Sequence, residues 1–251
     1  DHFRRLLNSA RLLCMEFDHT PESLPAILLD LLRVDGYRQD IYIRPLAYKA
    51  DEVIGVRLHD LHDEITIFAM PFGQYVKNDT NAHVTISSWR RIDDNVIPAR
   101  GKISGAYASS ALIKTDAARS GFDEALVLTQ DGHITEGSAM NVFILRDGVL
   151  ITPPVTENIL EGITRRSVIE LAKNKLGLTI VERPIDRTEV YICDELFLTG
   201  TAAQITVVTR VDHHPVGTGA MGPVAERLRD LFAAAVRGES PRYRHWNLEV
   251  A

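Results

Sequence analysis

The chain has 251 residues, 45% apolar and 25% charged, with a formal charge of -6 and a pI near 5.9. These values suit a soluble globular protein with a sizeable core and exclude collagen-like and disordered classes. The acidic balance argues against a nucleic-acid partner, two cysteines (Cys14 and Cys193) cannot build a disulfide framework, and charges interrupt every apolar run short of a membrane span.

With only two cysteines, a reducing cytoplasm is the expected compartment, and no signal-peptide pattern is read at the start of the chain. Asp1-His2-Phe3-Arg4-Arg5 reads as if already inside a helix, and the natural protein is expected to begin earlier. Leu6, Leu7, Ala10, Leu13 and Cys14 fall on one face at helical spacing. Thr20 followed by Pro21 predicts an N-cap and first helical residue, with the helix running to about Val34 and stopping at Gly36. Alternating branched and aromatic residues predict strands at 40–48, 64–70 and 84–89. Gln74 to Asn81 is polar and is read as an interdomain loop, between a small domain at 1–73 and a larger one at 82–251.

A helix is predicted over Ser104–Ser120, then two hairpins turning on Asp131-Gly132 and Asp147-Gly148. A further helix spans Gly162–Leu176. Strands follow at 178–181, 196–199 and 205–211, with a hairpin turn over His213–Gly217, and Pro223–Arg237 closes the pattern as a helix. Hairpins mixed with helices, without regular strand–helix alternation, define an α+β class.

Several groups could carry chemistry. Leu160-Glu161-Gly162-Ile163-Thr164 enters a helix, where unpaired amides and the helix dipole suit an anion, although most helix starts only cap themselves. Gly200-Thr201-Ala202 follows a strand and offers amides and a hydroxyl, or is simply a tight turn. Tyr42 and Arg44 share one strand face and can grip a carboxylate, or form an ordinary sheet surface. Glu136 ends a strand, where its carboxylate can be aimed into a cleft or simply solvated. Lys102 sits among small and apolar residues, which favours a nucleophilic amine, whereas Lys114 is expected in solvent. His59-Asp60-Leu61-His62-Asp63 has metal-ligand residue types but not the spacing of a metal site, so no metal is expected; His213-His214 is expected to be exposed. Phosphate-loop, serine-hydrolase and dinucleotide fingerprints are missing from the sequence.

YIRPL, PFGQY, SSWRR…IPARGKISGAY, GFDEALVLTQDGHITEGSAMNVF, DGVLITPP, LEGITRRSVIELA and DELFLTGTAAQIT occur here in one order with DHFRRLLNSAR. Together they resemble the fold-type IV pyridoxal-phosphate enzymes, and most closely the branched-chain amino-acid aminotransferases. The resemblance implies two domains, a small α/β one and a larger mixed β-barrel-like one with flanking helices. It implies pyridoxal 5'-phosphate as cofactor and exchange of the amino group between leucine, isoleucine or valine and 2-oxoglutarate. A D-amino-acid or (R)-amine transaminase, or an aminodeoxychorismate lyase, is the alternative within the fold.

By the same resemblance, Lys102 is the lysine that carries the cofactor, Tyr107 meets its ring oxygen and Glu136 its ring nitrogen. Arg5, Ile163, Thr164 and Thr201 form the phosphate site, and Leu160 packs on the ring. Tyr42, Arg44, Thr201 and Ala202 lie on the substrate-carboxylate side, with Phe72 and Tyr75 lining the pocket. Amino-acid and 2-oxo-acid partners and a homodimer are implied. The family's first strands precede the equivalent of Asp1, and Met140 stands where relatives often carry a polar residue.

Overall fold

The computed structural model describes residues 1–73 and 76–250. The chain divides into two compact units. The first takes in residues 1–73, 101–103 and 248–250, and the second residues 76–100 and 104–247. The predicted Gln74–Asn81 loop falls partly outside the described residues. The described part is not an uncommitted linker: Val76 is buried in the second unit's core, and Asp79 accepts from Arg229 at 3.3 Å and, through its carbonyl, from the Val207 amide.

In the first unit, helix α1 (His2–Leu12) buries Ser9 and Ala10. Helix α2 (Leu24–Asp35) ends at Gly36, whose φ of +66° suits a residue without Cβ. It starts later than Thr20 suggested. The Thr20 hydroxyl accepts from the Glu22 and Ser23 amides, and the Ser23 hydroxyl accepts from the Thr20 amide. That closes a separate turn, and Pro25 rather than Pro21 opens the helix. Strands β1 (Ile41–Lys49) and β2 (Asp63–Pro71) form an antiparallel ribbon in which Tyr42 lies opposite Met70 and Arg44 opposite Phe68. A largely buried ion pair between Lys49 and Asp63, at 2.8 Å, ties the two strands together where the 50–62 connection joins them.

Residues 101–103 belong with this unit rather than with the larger domain in which the sequence placed them. The Lys102 amide donates to the Ser9 hydroxyl at 3.0 Å, and that hydroxyl donates to the Arg5 carbonyl at 2.7 Å. A Cβ on Gly101 would press on Leu12 and Ile103, so the glycine allows this approach.

The second unit is built on one long sheet. Its strands are β3 (Ala82–Arg90), β4 (Glu124–Leu128), β5 (His133–Gly137), β6 (Asn141–Arg146), β7 (Val149–Thr152), β8 (Thr179–Glu182), β9 (Ile185–Asp186), β10 (Glu195–Gly200), β11 (Gln204–Val211) and β12 (His214–Pro215). Six of them, in the order β6-β10-β11-β3-β4-β5, close into a barrel because β5 also pairs with β6, at Glu136 opposite Asn141. Val84, Leu126, Val142, Ile144, Leu196, Leu198 and Met140 fill the interior. Met140 is therefore a barrel-filling side chain, which explains an apolar residue there.

Alternate residues of the same strands face outward. Phe143 and Phe197 stack at 5.2 Å beneath helices α4 (Ile163–Leu176) and α5 (Pro223–Val236). Apolar side chains on both faces are why β6 and β10 read as continuous hydrophobic runs. Helix α3 (Tyr107–Arg119), entered through a short 3-10 turn at Ser104–Ala106, covers β4.

Lys114 of α3 is not solvated as expected. It donates to the Asp123 carbonyl and pairs at 3.0 Å with Glu124, whose side chain is fully buried. The Asp147-Gly148 hairpin has φ of +51° and +75°, the geometry that this dipeptide favours. The turn after β11 sits at Asp212-His213, both at positive φ, so His214 and Pro215 already return as β12. No described helix is long and apolar enough to cross a membrane.

Candidate active site

Glu136 stands at the seam where the barrel closes. A register shift in the β4–β5 pairing breaks the alternation after Ile134, so Glu136 lies opposite Val127 and Asn141 instead of joining Ile134 in the interior, and it is only 4% exposed. A carboxylate in such a place needs hydrogen-bond donors. Its Oε1 accepts from the Leu160 amide at 2.7 Å and from Asn141 Nδ2 at 2.9 Å. Its Oε2 faces Arg91 Nη1 at 3.2 Å. All three of these partners are donors, so the group is held as an acceptor, the form suited to a protonated ring nitrogen.

Asn141 does more than reach its strand neighbour. The same Nδ2 donates to the Leu160 carbonyl at 2.9 Å, so the Leu160 backbone is fixed through both its N–H and its C=O. Two residues on, Gly162 caps α4, and a Cβ there would overlap Asn141 Oδ1. Glycine is required by this approach and not by its φ of -68°.

The start of α4 presents the other half of the site. Gly162 provides no side-chain cap, and Ile163 and Thr164 form the first helical turn, with Thr164 largely buried. Residues two apart on a strand share a face, so Thr199 of β10 lies on the side of Phe197, the side that α4 covers. Its hydroxyl is buried with no hydrogen-bond partner among the described residues. An orphaned hydroxyl beside an uncapped helix start fits an anionic group such as a phosphate. Thr201 and Ala202 occupy the turn that follows β10.

Each unit thus holds a share of the residues singled out from sequence. The first contains Arg5 on α1, Lys102 pinned to that helix, and Tyr42, Arg44 and Phe72. Arg44 Nη2 donates to the Tyr42 hydroxyl at 3.2 Å, and the Tyr42 and Phe72 rings lie 5.1 Å apart. The second contains Tyr107, which opens α3, and Glu136, Leu160, Ile163, Thr164, Thr201 and Ala202. Tyr75 lies outside the described residues. Among the described residues no group of three His, Cys, Asp or Glu is placed to hold a metal, His59-His62 included.

Sequence reasoning missed Arg91, Asn141 and Thr199. Arg91 is hidden in a run of arginines, and a threonine in a strand carries no signal until its hydroxyl proves unpartnered. Asn141, next to a hairpin and five residues from Glu136, could have been suspected.

This architecture defines a class. Residues 1–211 match the family model described as amino-transferase class IV, and the chain belongs to that family. More particularly, it is 46% identical to the probable branched-chain-amino-acid aminotransferase of Aquifex aeolicus, over 98% of this chain and 79% of that protein. It is 36% identical to the Escherichia coli K12 branched-chain-amino-acid aminotransferase, over 96% and 78%. Among solved structures, the branched-chain aminotransferase of Thermoproteus uzoniensis with norvaline superposes with a TM-score of 0.95 at 36% identity, covering 100% of this chain and 83% of that one. The PLP form of the Thermobaculum terrenum enzyme gives 0.94 at 41% identity, covering 100% and 82%.

Proposed function

We propose that this protein transfers the amino group of leucine, isoleucine or valine to 2-oxoglutarate, using pyridoxal 5'-phosphate and releasing the branched 2-oxo acid and glutamate. The observation that carries the reading is the buried Glu136 acceptor beside an open helix start and an orphaned Thr199 hydroxyl. It is supported by relatives of that name matching almost the whole chain.

Pyridoxal phosphate supplies an electron sink that stabilises negative charge at a substrate carbon. The protein's own groups do the rest. Glu136 holds a proton at the ring nitrogen. Tyr107 donates at the ring oxygen, and Leu160 packs on the ring face. Arg5, Ile163, Thr164 and Thr201 hold the phosphate. Lys102 carries the cofactor, and its freed amine moves the proton on and off the substrate's α-carbon. Tyr42, Arg44, Thr201 and Ala202 receive the substrate carboxylate, with Phe72 and Tyr75 along the side chain.

The protein works as a homodimer in the cytoplasm. Val53, Ile54 and Val56 of the β1–β2 connection are exposed apolar residues, which a second copy would cover. Cys14 and Cys193 are free thiols, and burial pushes the Cys193 thiol up to about 12, so it stays protonated.

The test is an absorbance titration of the holoenzyme. L-leucine should bleach the cofactor's long-wavelength band and yield 4-methyl-2-oxopentanoate, and 2-oxoglutarate should restore the band. A response to D-alanine or an (R)-amine but not to leucine, or pyruvate release from aminodeoxychorismate, would overturn the reading.

A further inference from the structure

Glu136 has a cationic neighbour to which the proposed reaction gives no part. Arg91 follows β3 and is mostly buried, its side chain 18% exposed. Its guanidinium reaches two ways. Nη1 lies 3.2 Å from Glu136 Oε2, and Nε donates to the Asn158 carbonyl at 2.8 Å. Its backbone is fixed too, with the amide donating to the Leu128 carbonyl on β4. Asn158 sits at a φ of +58° and donates from its side chain to Asp93 at 3.0 Å. A planar guanidinium gripped at a second edge has little freedom to rotate.

We propose that Arg91 is a positioning residue for Glu136, fixing the orientation and negative charge of the carboxylate that faces the cofactor's ring nitrogen. This rests on the assignment of Glu136 to that nitrogen. The division of labour within the carboxylate supports it. Oε1 receives two N–H donors from the Leu160 and Asn141 side, which anchor one oxygen. Oε2 receives the Arg91 guanidinium at 3.2 Å, which places a fixed positive charge against the second oxygen. Without a cation nearby, a buried carboxyl group takes up a proton more readily, and a neutral carboxyl no longer favours a protonated ring nitrogen.

The experiment uses the full chain in three variants, Arg91→Met, Arg91→Lys and Glu136→Gln, and the double variant Arg91→Met/Glu136→Gln. Each apoprotein is loaded with 15N-labelled pyridoxal phosphate, and the ring-nitrogen resonance is followed against pH. Cofactor affinity is measured by quenching of intrinsic fluorescence.

Arg91→Met should move the resonance toward the unprotonated value at neutral pH and weaken cofactor binding about tenfold, the size of one charge-assisted hydrogen bond. Arg91→Lys keeps the charge and should restore most of the protonated signal, which a purely structural role would not produce. In the double variant, losing Arg91 should add nothing to the loss caused by Glu136→Gln. A wild-type resonance in Arg91→Met, or additive losses in the double variant, would overturn the inference. Failure of the underlying assignment looks different: Glu136→Gln alone would then leave the resonance unmoved. Should Arg91→Met fail to fold, Arg91→Lys decides alone. It must then show a resonance displaced from wild type, because lysine keeps the charge without the guanidinium's two-edged grip, and an unmoved resonance there would overturn the inference.

Discussion

Replacing Gly162 with alanine adds one methyl group at the tightest point of the candidate site. The backbone there tolerates alanine, since φ and ψ of -68° and 135° are ordinary. The added Cβ cannot coexist with Asn141 Oδ1, and it would also stand 3.3 Å from Arg165 Cβ. The Asn141 side chain must swing away, and its Nδ2 loses both the Glu136 carboxylate and the Leu160 carbonyl. A hydrogen bond to a charged group contributes about 2 kcal/mol and a neutral one about 1, so the expected cost is about 3 kcal/mol. For a unit of this size that corresponds to a fall in Tm of roughly 6–12 °C. Alanine is also a poorer N-cap than glycine, which adds a few tenths. Urea unfolding of the apoprotein, followed by tryptophan fluorescence, measures the loss. The control is Asn141→Ala, in which the obstruction is gone. On that background Gly162→Ala should cost under about 1 kcal/mol, giving a coupling of about 2 kcal/mol. A Gly162→Ala protein as stable as the parent, or one losing as much with Asn141 removed, would refute the steric argument.

Lys102→Ala should give a folded protein with no borohydride-reducible cofactor linkage, because the Lys102 contact to Ser9 runs through its backbone amide and survives the substitution; retention of the linkage, read by mass spectrometry, would transfer the role to another lysine. Glu189 governs acid stability. Its hydrogen bonds from Arg183 pull the carboxyl from 4.5 to about 2, with the Asp186 amide and Arg146 adding to this against the opposing effect of burial. A depressed carboxyl stabilises above its unfolded value and loses that contribution as pH falls, so up to about 3 kcal/mol should disappear between pH 4.5 and 2. Denaturant melts of Glu189→Gln should be flatter across that window than those of the parent, and parallel curves would disprove the assignment. Specific activity should fall on dilution together with dissociation of a dimer by light scattering. A fully active monomer would end the assembly proposal.

Local features were readable wherever the chain's own chemistry sets them. Helix α4 lies between Gly162 and Gly177, whose φ of +65° closes the helix, and the Asp147-Gly148 turn dictates its hairpin. Thr20 misled because a threonine can close a turn with the same hydroxyl that would cap a helix. Lys114 misled because Glu124, ten residues on, enters β4 beside α3 and is fully buried, so it draws the amine in. Arg91 and Thr199 were silent for a common reason. Their meaning depends on which strand lies alongside, and no periodicity within one segment encodes that.

The partners of Glu136 also bear on why the site sits where it does. The barrel closes through a single register pair, Glu136 opposite Asn141. Here the two strands are joined by the short Ser138–Met140 connection and part at once: β5 continues to β9, and β6 to β10 and β7. The seam therefore has polar side chains where a sheet interior would have apolar ones, and those groups must be satisfied from outside the ladder. Leu160 supplies an amide from the loop before α4, and Arg91 a guanidinium from the segment after β3. Closing the barrel and fixing the Glu136 carboxylate are consequently one structural act. Removing Asn141 should loosen both, so Asn141→Ala should show the loss of cofactor affinity and the loss of apoprotein stability together.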